Sequence, residues 1–201
     1  MLLSGSGSNL QALLDAQPTS HYEVVAVISN KHDAYGLKRA ENHNIATRAL
    51  SHRDFASRED FDAELAKLVT QFKPDLIVLA GFMRILTASF VQQFAGHLVN
   101  IHPSLLPDLP GINTHQRALD AGMAEHGASV HFVTEELDGG PVIACCKIAV
   151  KPDDTAESLA ARVLVEEHRL YPAVVDWFAR GELSFQQGRA RHSTLDLPAT
   201  L

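Results

Sequence analysis

Two short apolar runs, Tyr22–Ser29 (YEVVAVIS) and Asp75–Ala80 (DLIVLA), separated by segments with helical periodicity, restrict the first half of this chain to one kind of architecture. Runs rich in Val, Ile and Leu suit strands covered on both faces. Between them, Ala34–Asn44 and Ser57–Phe72 place apolar residues three or four apart, the latter at Phe61, Leu65, Leu68 and Phe72, as amphipathic helices do. Strand and helix in alternation predict a parallel sheet flanked by helices.

From residue 97 the rhythm changes. His97–His102, Ala128–Thr134 and Pro141–Val150 read as strands with one short helix, near Gln116–Ala121, among them, so antiparallel strands are expected to join the sheet. A long amphipathic helix follows from about Thr155 to Ala179, with Leu159, Val163, Leu170, Val174 and Phe178 as its inner stripe and Gly181 as its end. The expected fold is α/β: a Rossmann-like, mostly parallel sheet flanked by helices, with antiparallel strands added in the C-terminal half. Residues 1–201 read as a single domain, and the polar, proline-containing stretch 186–201 as a surface tail.

With 46% hydrophobic residues and 201 in all, the chain can bury a substantial core. A net charge of −7 gives no cationic field for nucleic acid or an anionic membrane surface. The longest mid-chain apolar run, Leu76–Met83, falls far short of the roughly 18 to 20 residues of a membrane span, and no charged region precedes an apolar one at the start. No export signal or anchor is expected. The two cysteines, adjacent at Cys145 and Cys146, offer neither a disulfide framework nor zinc spacing, so they read as core packing or neutral surface rather than redox sites, in a reducing cytoplasm. Eleven histidines are the one compositional oddity that could carry chemistry.

Ser4-Gly5-Ser6-Gly7-Ser8-Asn9-Leu10 directly follows Met1–Leu3, a first strand so short that a trimmed start is expected. Ser8 with Gln11 three residues on fits a capping box, which places a helix start there. Free N–H groups at such a start, with glycine-permitted backbone, form either a phosphate cradle or a plain tight turn. The third glycine of the dinucleotide fingerprint is missing, and the second strand ends in Ser29-Asn30 with no acidic ribose ligand, so NAD is not expected.

Asn100-Ile101-His102-Pro103 is more informative. Two apart on a strand, Asn100 and His102 project from one face, and Pro103 stops the strand. Strand C-terminal ends are where open α/β sheets place ligands. The plain alternative is an Asn and a His bonded to loop backbone.

NIHPSLLP (Asn100–Pro107), preceded by AGFMRIL (Ala80–Leu86) and followed by ELDGGP (Glu136–Pro141), resembles the phosphoribosylglycinamide formyltransferases of the folate-dependent formyltransferase family. SGSGSNL at the start and EEHRLYP (Glu166–Pro172) extend the resemblance over nearly the whole chain. It implies transfer of a formyl group from 10-formyltetrahydrofolate, a co-substrate, to the amine of glycinamide ribonucleotide in de novo purine synthesis. On that resemblance the catalytic residues fall on Asn100, His102 and Asp138. Gly7, Ser8 and Asn9 would hold the ribonucleotide phosphate and Glu167 the ribose hydroxyls. The folate would lie along Met83, Arg84, Ile85 and Leu86, with Asn100 at its reacting end, Glu135, Glu136, Leu137 and Asp138 beside it, and Arg58 near its glutamate tail. Residues 1–96 would then be the phosphate-binding half and 97–185 the catalytic and folate-binding half. The protein would act on small molecules as a monomer or homodimer.

The chemistry suits those residue types. An amine attacking a formyl carbon creates a tetrahedral oxyanion, and the folate nitrogen must leave with a proton. Asn100 and a protonated His102 would donate to the oxyanion, at a typical ~10²–10³ in rate per donor. Asp138 would pair with the imidazolium and relay a proton through a water from amine to leaving nitrogen, with no covalent enzyme intermediate. The stretch Asp108–His115 departs from the family at Asp108, Leu109 and Asn113, where a basic or neutral residue, an aromatic and a His are common, so a different loop order is expected there. His126, His131 and His168 could converge with Asp138 or Glu167, but no pair has the spacing of a metal motif, and no metal is expected. The alternatives within the chemistry are a formyltetrahydrofolate hydrolase, a methionyl-tRNA formyltransferase and a sugar-nucleotide formyltransferase. The tRNA enzyme would want basic surface, which is missing. A silent nucleotide-binding module would leave the triad unexplained.

Overall fold

The computed structural model describes residues 1–201. Strands β1 (Leu2–Leu3), β2 (Ala26–Ser29), β3 (Ala46–Ala49), β4 (Ile77–Ala80) and β5 (Leu98–His102) run parallel in the order β3-β2-β1-β4-β5. β6 (Glu125–Phe132) and β7 (Val142–Ala149) continue the sheet antiparallel, as the change of rhythm predicts. β8 (Leu183–Gln186) and β9 (Arg189–His192) form a separate hairpin, and β10 (Ala199–Thr200) pairs parallel to β7 at the sheet edge. The helices are α1 (Ser8–Ala16), α2 (Tyr35–Asn42), α3 (Arg58–Gln71), α4 (Ala88–Gln93), α5 (Thr114–Asp120) and α6 (Ala156–Ala179).

All four residues of β2 and of β4 are buried, which is why their runs carry no polar alternation. Alternate β4 and β5 residues serve two cores. Val78, Ala80, Val99 and Ile101 pack with Leu159, Val163, Leu170 and Val174 of α6, whereas Ile77, Leu79 and Leu98 pack with Phe61, Leu65 and Val69 of α3. Burial of each such α6 side chain contributes about 1.5–3 kcal/mol relative to exposure. A capping box of Thr155 and Ser158 opens α6, and Gly181, at φ +71°, follows its end. The Tyr171 hydroxyl, fully buried on α6, donates to the carbonyls of Leu79 (2.7 Å) and Val99 (3.2 Å) and so ties the helix to β4 and β5.

Several expectations are corrected. β2 begins at Ala26, because Tyr22 turns away and its hydroxyl donates to the Leu13 carbonyl. β3 (ATRA) and α4, six residues long, carry no periodicity signal: β3 is an edge strand with alternately exposed positions, and α4 is too short to show a stripe. The expected surface tail is partly structured, since β9 completes a hairpin and β10 extends the main sheet. The capping box at Ser8 does not form. Gly7 is the N-cap, at φ +69° with no side-chain cap, and the Gln11 amide donates to Asp15 while its oxygen accepts from Arg39. With no side-chain oxygen on them, the first N–H groups of α1 stay free for an anion.

The strand order reverses between β1 and β4. The Gly loop leaves β1 and Gly81–Leu86 leaves β4, so both emerge into the crevice where doubly wound sheets bind ligands.

Candidate active site

The Gly loop is held from beneath. Gly36 of α2 donates its N–H to the Gly5 carbonyl (3.0 Å), and the Arg39 guanidinium donates to the Ser6 carbonyl (2.9 Å). A cavity of about 320 Å³ lies over it, walled by Ser4–Asn9, Ala80, Gly81, Met83 and Lys31. Lys31 is the cation in that wall, and nothing in the sequence pattern marks it. From α1 the Asn9 amide donates to Glu167 of α6 at 2.8 Å. Burial pushes the Glu167 carboxyl up, with the Asn9 bond opposing. Both residues are buried, and the Asn9 oxygen has no protein partner.

At the C-terminal end of β5 the structure brings Asn100, His102 and Asp138 together. Asp138 Oδ2 lies 3.5 Å from His102 Nδ1 and accepts the Gly111 N–H at 2.9 Å; its Oδ1 lies 3.8 Å from His131 Nε2. Asp138 adopts φ +52°, a left-handed conformation that Asp and Asn tolerate better than most residues. His102, 6% exposed, donates from Nε2 to the Leu109 carbonyl at 3.0 Å. The Asp108–Asn113 loop is therefore ordered against the site, with Leu109 and Asn113 both at positive φ.

The sequence raises His131 only as a metal-ligand candidate that could converge with Asp138, and gives it no part beside Asn100. It stands directly across from Asn100 in the antiparallel register of β5 and β6, and its Nε2 lies 3.2 Å from Asn100 Nδ2. Burial lowers its pKa and keeps it neutral, while its Nδ1 donates to the Phe132 carbonyl at 3.0 Å. Nε2 is then an acceptor, which fixes the Asn100 amide with its NH₂ toward His131 and leaves that group a second hydrogen to donate.

The remaining expected residues are spread around this centre. Met83 and Ile85, on the loop after β4, and Leu137, beside Asp138, are among the few large apolar side chains more than half exposed, the pattern of a binding surface. α4 links the two segments: Thr87 begins it directly after Leu86, and Gln92 donates to Glu135 at 2.6 Å. Arg84 is half-buried with an unpartnered Nε, and the Glu136 carbonyl accepts the Gly139 N–H within the turn that carries Asp138. Arg58 stands exposed at the start of α3, 3.7 Å from Glu59, and makes no hydrogen bond to Met83–Leu86. No group of three or more His, Cys, Asp or Glu, His126 and His168 included, is placed to hold a metal ion.

The sequence profile of a family described as "Formyl transferase" matches residues 1–175. The chain belongs to the formyl transferase family. Among curated relatives of this formyl transferase, the phosphoribosylglycinamide formyltransferase of Escherichia coli K12 is 52% identical over 94% of this chain and 91% of its own. The human trifunctional purine biosynthetic protein adenosine-3 is 43% identical over 90% of this chain, which matches 18% of that longer protein. Among solved structures, the phosphoribosylglycinamide formyltransferase of Coxiella burnetii has a TM-score of 0.94 at 47% identity, covering 100% of this chain and 97% of that one.

Behind the site, His115 of α5 and His126 of β6 share a hydrogen bond at 3.1 Å. Burial first, then the neighbouring His115 and His102, lower the His126 pKa to about 4. An unfolded chain takes up that proton near pH 6.5, so stability is full above this value and falls as the pH drops toward 4. Unfolding at pH 7 and pH 5 is expected to show wild type losing about 2 kcal/mol more than His126→Leu. Equal losses in the two proteins would remove His126 from the acid response.

Proposed function

We propose that this formyl transferase moves the formyl group of 10-formyltetrahydrofolate to the amine of glycinamide ribonucleotide, for purine synthesis. The observation that carries the reading is the convergence of Asn100, His102 and Asp138 at the end of β5. The 52% identity to the Escherichia coli enzyme over 94% of the chain supports the substrate pair. The free N–H groups after Gly7, with Ser8 and Asn9, take the phosphate, and Glu167 takes the ribose hydroxyls. Met83–Leu86 and Glu135–Asp138 receive the folate, with Arg58 toward its glutamate tail.

The amine nitrogen bonds to the formyl carbon, and the carbonyl electron pair moves onto oxygen. The second Asn100 hydrogen and one His102 N–H stabilise that oxyanion. In the structure Nδ1 of His102 faces Asp138 and Nε2 donates to Leu109, so the Leu109 carbonyl yields its hydrogen bond when the oxyanion forms. As the oxyanion collapses, the bond to the folate nitrogen breaks, and Asp138 passes the proton from the attacking ammonium to the leaving nitrogen. No metal enters the reaction. Cys145 and Cys146 are both free, which supports action in a reducing cytoplasm.

Mixed with the formyl-folate donor, the protein is expected to discharge it only when glycinamide ribonucleotide is present, as read from the folate absorbance. Discharge to water at the same rate would make the protein a hydrolase and overturn this reading.

A further inference from the structure

The two loops assigned to the two substrates part company at one residue. β1 and β4 pair in parallel through Leu2 and Leu79, and the ladder ends where the Ser4 N–H donates to the Gly81 carbonyl at 3.1 Å. There the Ser4 hydroxyl, on a side chain 3% exposed, crosses from the Gly loop to the neighbouring loop and accepts the Met83 N–H at 2.8 Å. It also contacts Asn30 Oδ1, at the end of β2, at 2.5 Å, and Asn30 Nδ2 lies 3.3 Å from His52 Nδ1.

Every hydrogen in this chain is determined. A backbone N–H can only donate, so the Ser4 oxygen accepts from Met83 and spends its own hydrogen on Asn30 Oδ1. That leaves an Asn30 amide hydrogen for His52 Nδ1. Asn30, also 3% exposed, thereby aims the hydroxyl lone pairs at Met83 and keeps them there. The far end of the same loop is pinned as well, because Thr87 donates its N–H to the buried Asp62 at 2.5 Å. Between the pins, Met83 and Ile85 stand exposed.

We propose that Ser4 is a positioning residue that couples the two substrate sites. It rests on the assignment of the Gly loop to the ribonucleotide and of Met83–Leu86 to the folate. The Met83 loop has two states, one with its N–H on the Ser4 oxygen and one with that N–H turned to solvent. A phosphate seated on the N–H groups after Gly7 orders Gly5–Ser8, immediately beyond Ser4. The ordered loop holds the hydroxyl in place, favours the first state and shapes the folate wall. By reciprocity, folate on Met83–Leu86 tightens the ribonucleotide site by the same factor.

The test is linkage. Tetrahydrofolate, which has no formyl group to transfer, is titrated into the protein with and without saturating glycinamide ribonucleotide. In wild type the ribonucleotide is expected to tighten tetrahydrofolate binding about fivefold or more, and in Ser4→Ala that ratio is expected to fall close to one. A merely structural Ser4 would weaken both ligands and leave the ratio unchanged, which would overturn the proposal, as would a ratio of one in wild type. Amide exchange at Met83 in the unmutated protein is expected to slow about fivefold or more on adding the ribonucleotide, and no slowing would also overturn it. Failure of wild type to bind either ligand alone would instead overturn the assignment of the sites.

Discussion

Replacing His102 with alanine, or Asp138 with asparagine, is expected to lower turnover by at least ~10²-fold while ribonucleotide affinity stays within a fewfold of wild type. The two substitutions probe different things. Asp138→Asn is nearly isosteric: asparagine tolerates the φ of +52°, and its carbonyl can still accept the Gly111 N–H at 2.9 Å. What it removes is the negative charge beside His102 and the ability to take up and release a proton. His102→Ala removes the imidazole that lies between Asp138 and the Leu109 carbonyl. Neither side chain lines the cavity over the Gly loop, so the damage falls on kcat more than on the KM for the ribonucleotide. The measurement is steady-state kinetics beside ribonucleotide titration, with circular dichroism to verify the fold. Near-normal turnover in either variant would remove that residue from the mechanism.

Gly7→Ala is expected to raise the KM for the ribonucleotide more than tenfold and to destabilise the protein by about 2–4 kcal/mol. Two penalties combine. At φ +69° an L side chain is strained, and a Cβ there would lie 2.6 Å from the Cα of Gly36, which is α2 backbone and cannot swing aside. Relief requires α1 and α2 to separate, which displaces the N–H groups that receive the phosphate. Gly5→Ala is the control, because a Cβ at that position meets nothing within 4 Å. Its stability is expected to remain within about 0.5 kcal/mol of wild type. Thermal unfolding and ribonucleotide kinetics on both variants decide the matter; wild-type values for Gly7→Ala would sink the cradle assignment.

Much of this was legible in one dimension, and the exceptions share a cause. The strands β2 and β4 announce themselves as apolar runs because both faces are covered, and α6 through its stripe from Leu159 to Val174 because one side of a long helix meets the sheet. β3 and α4 were not legible: an exposed edge strand of four residues and a helix of six carry too few buried positions to set a period. The Ser8–Gln11 pattern pointed to a capping box that local geometry overrides, since Gly36 packs against Gly7 and holds it in the left-handed region.

The residues of the site divide in the same way. Asn100 and His102 share a strand, so the two-residue period alone puts them side by side, and the left-handed turn at Asp138 sits in a Leu-Asp-Gly-Gly-Pro stretch that reads as a turn. The sequence by itself therefore determined the doubly covered strands, the long helix, the faces they bury and the pairing of Asn100 with His102 on one strand face, because all of these depend on neighbours within a few positions. Only the tertiary structure decided that His131 stands opposite Asn100, that Lys31 walls the Gly loop, and that Ser4 meets Met83. Those partners lie more than twenty positions apart, and they are brought together by sheet order and register. Strand pairing is a property of the assembled sheet, and no periodicity along the chain encodes which strand lies next to which.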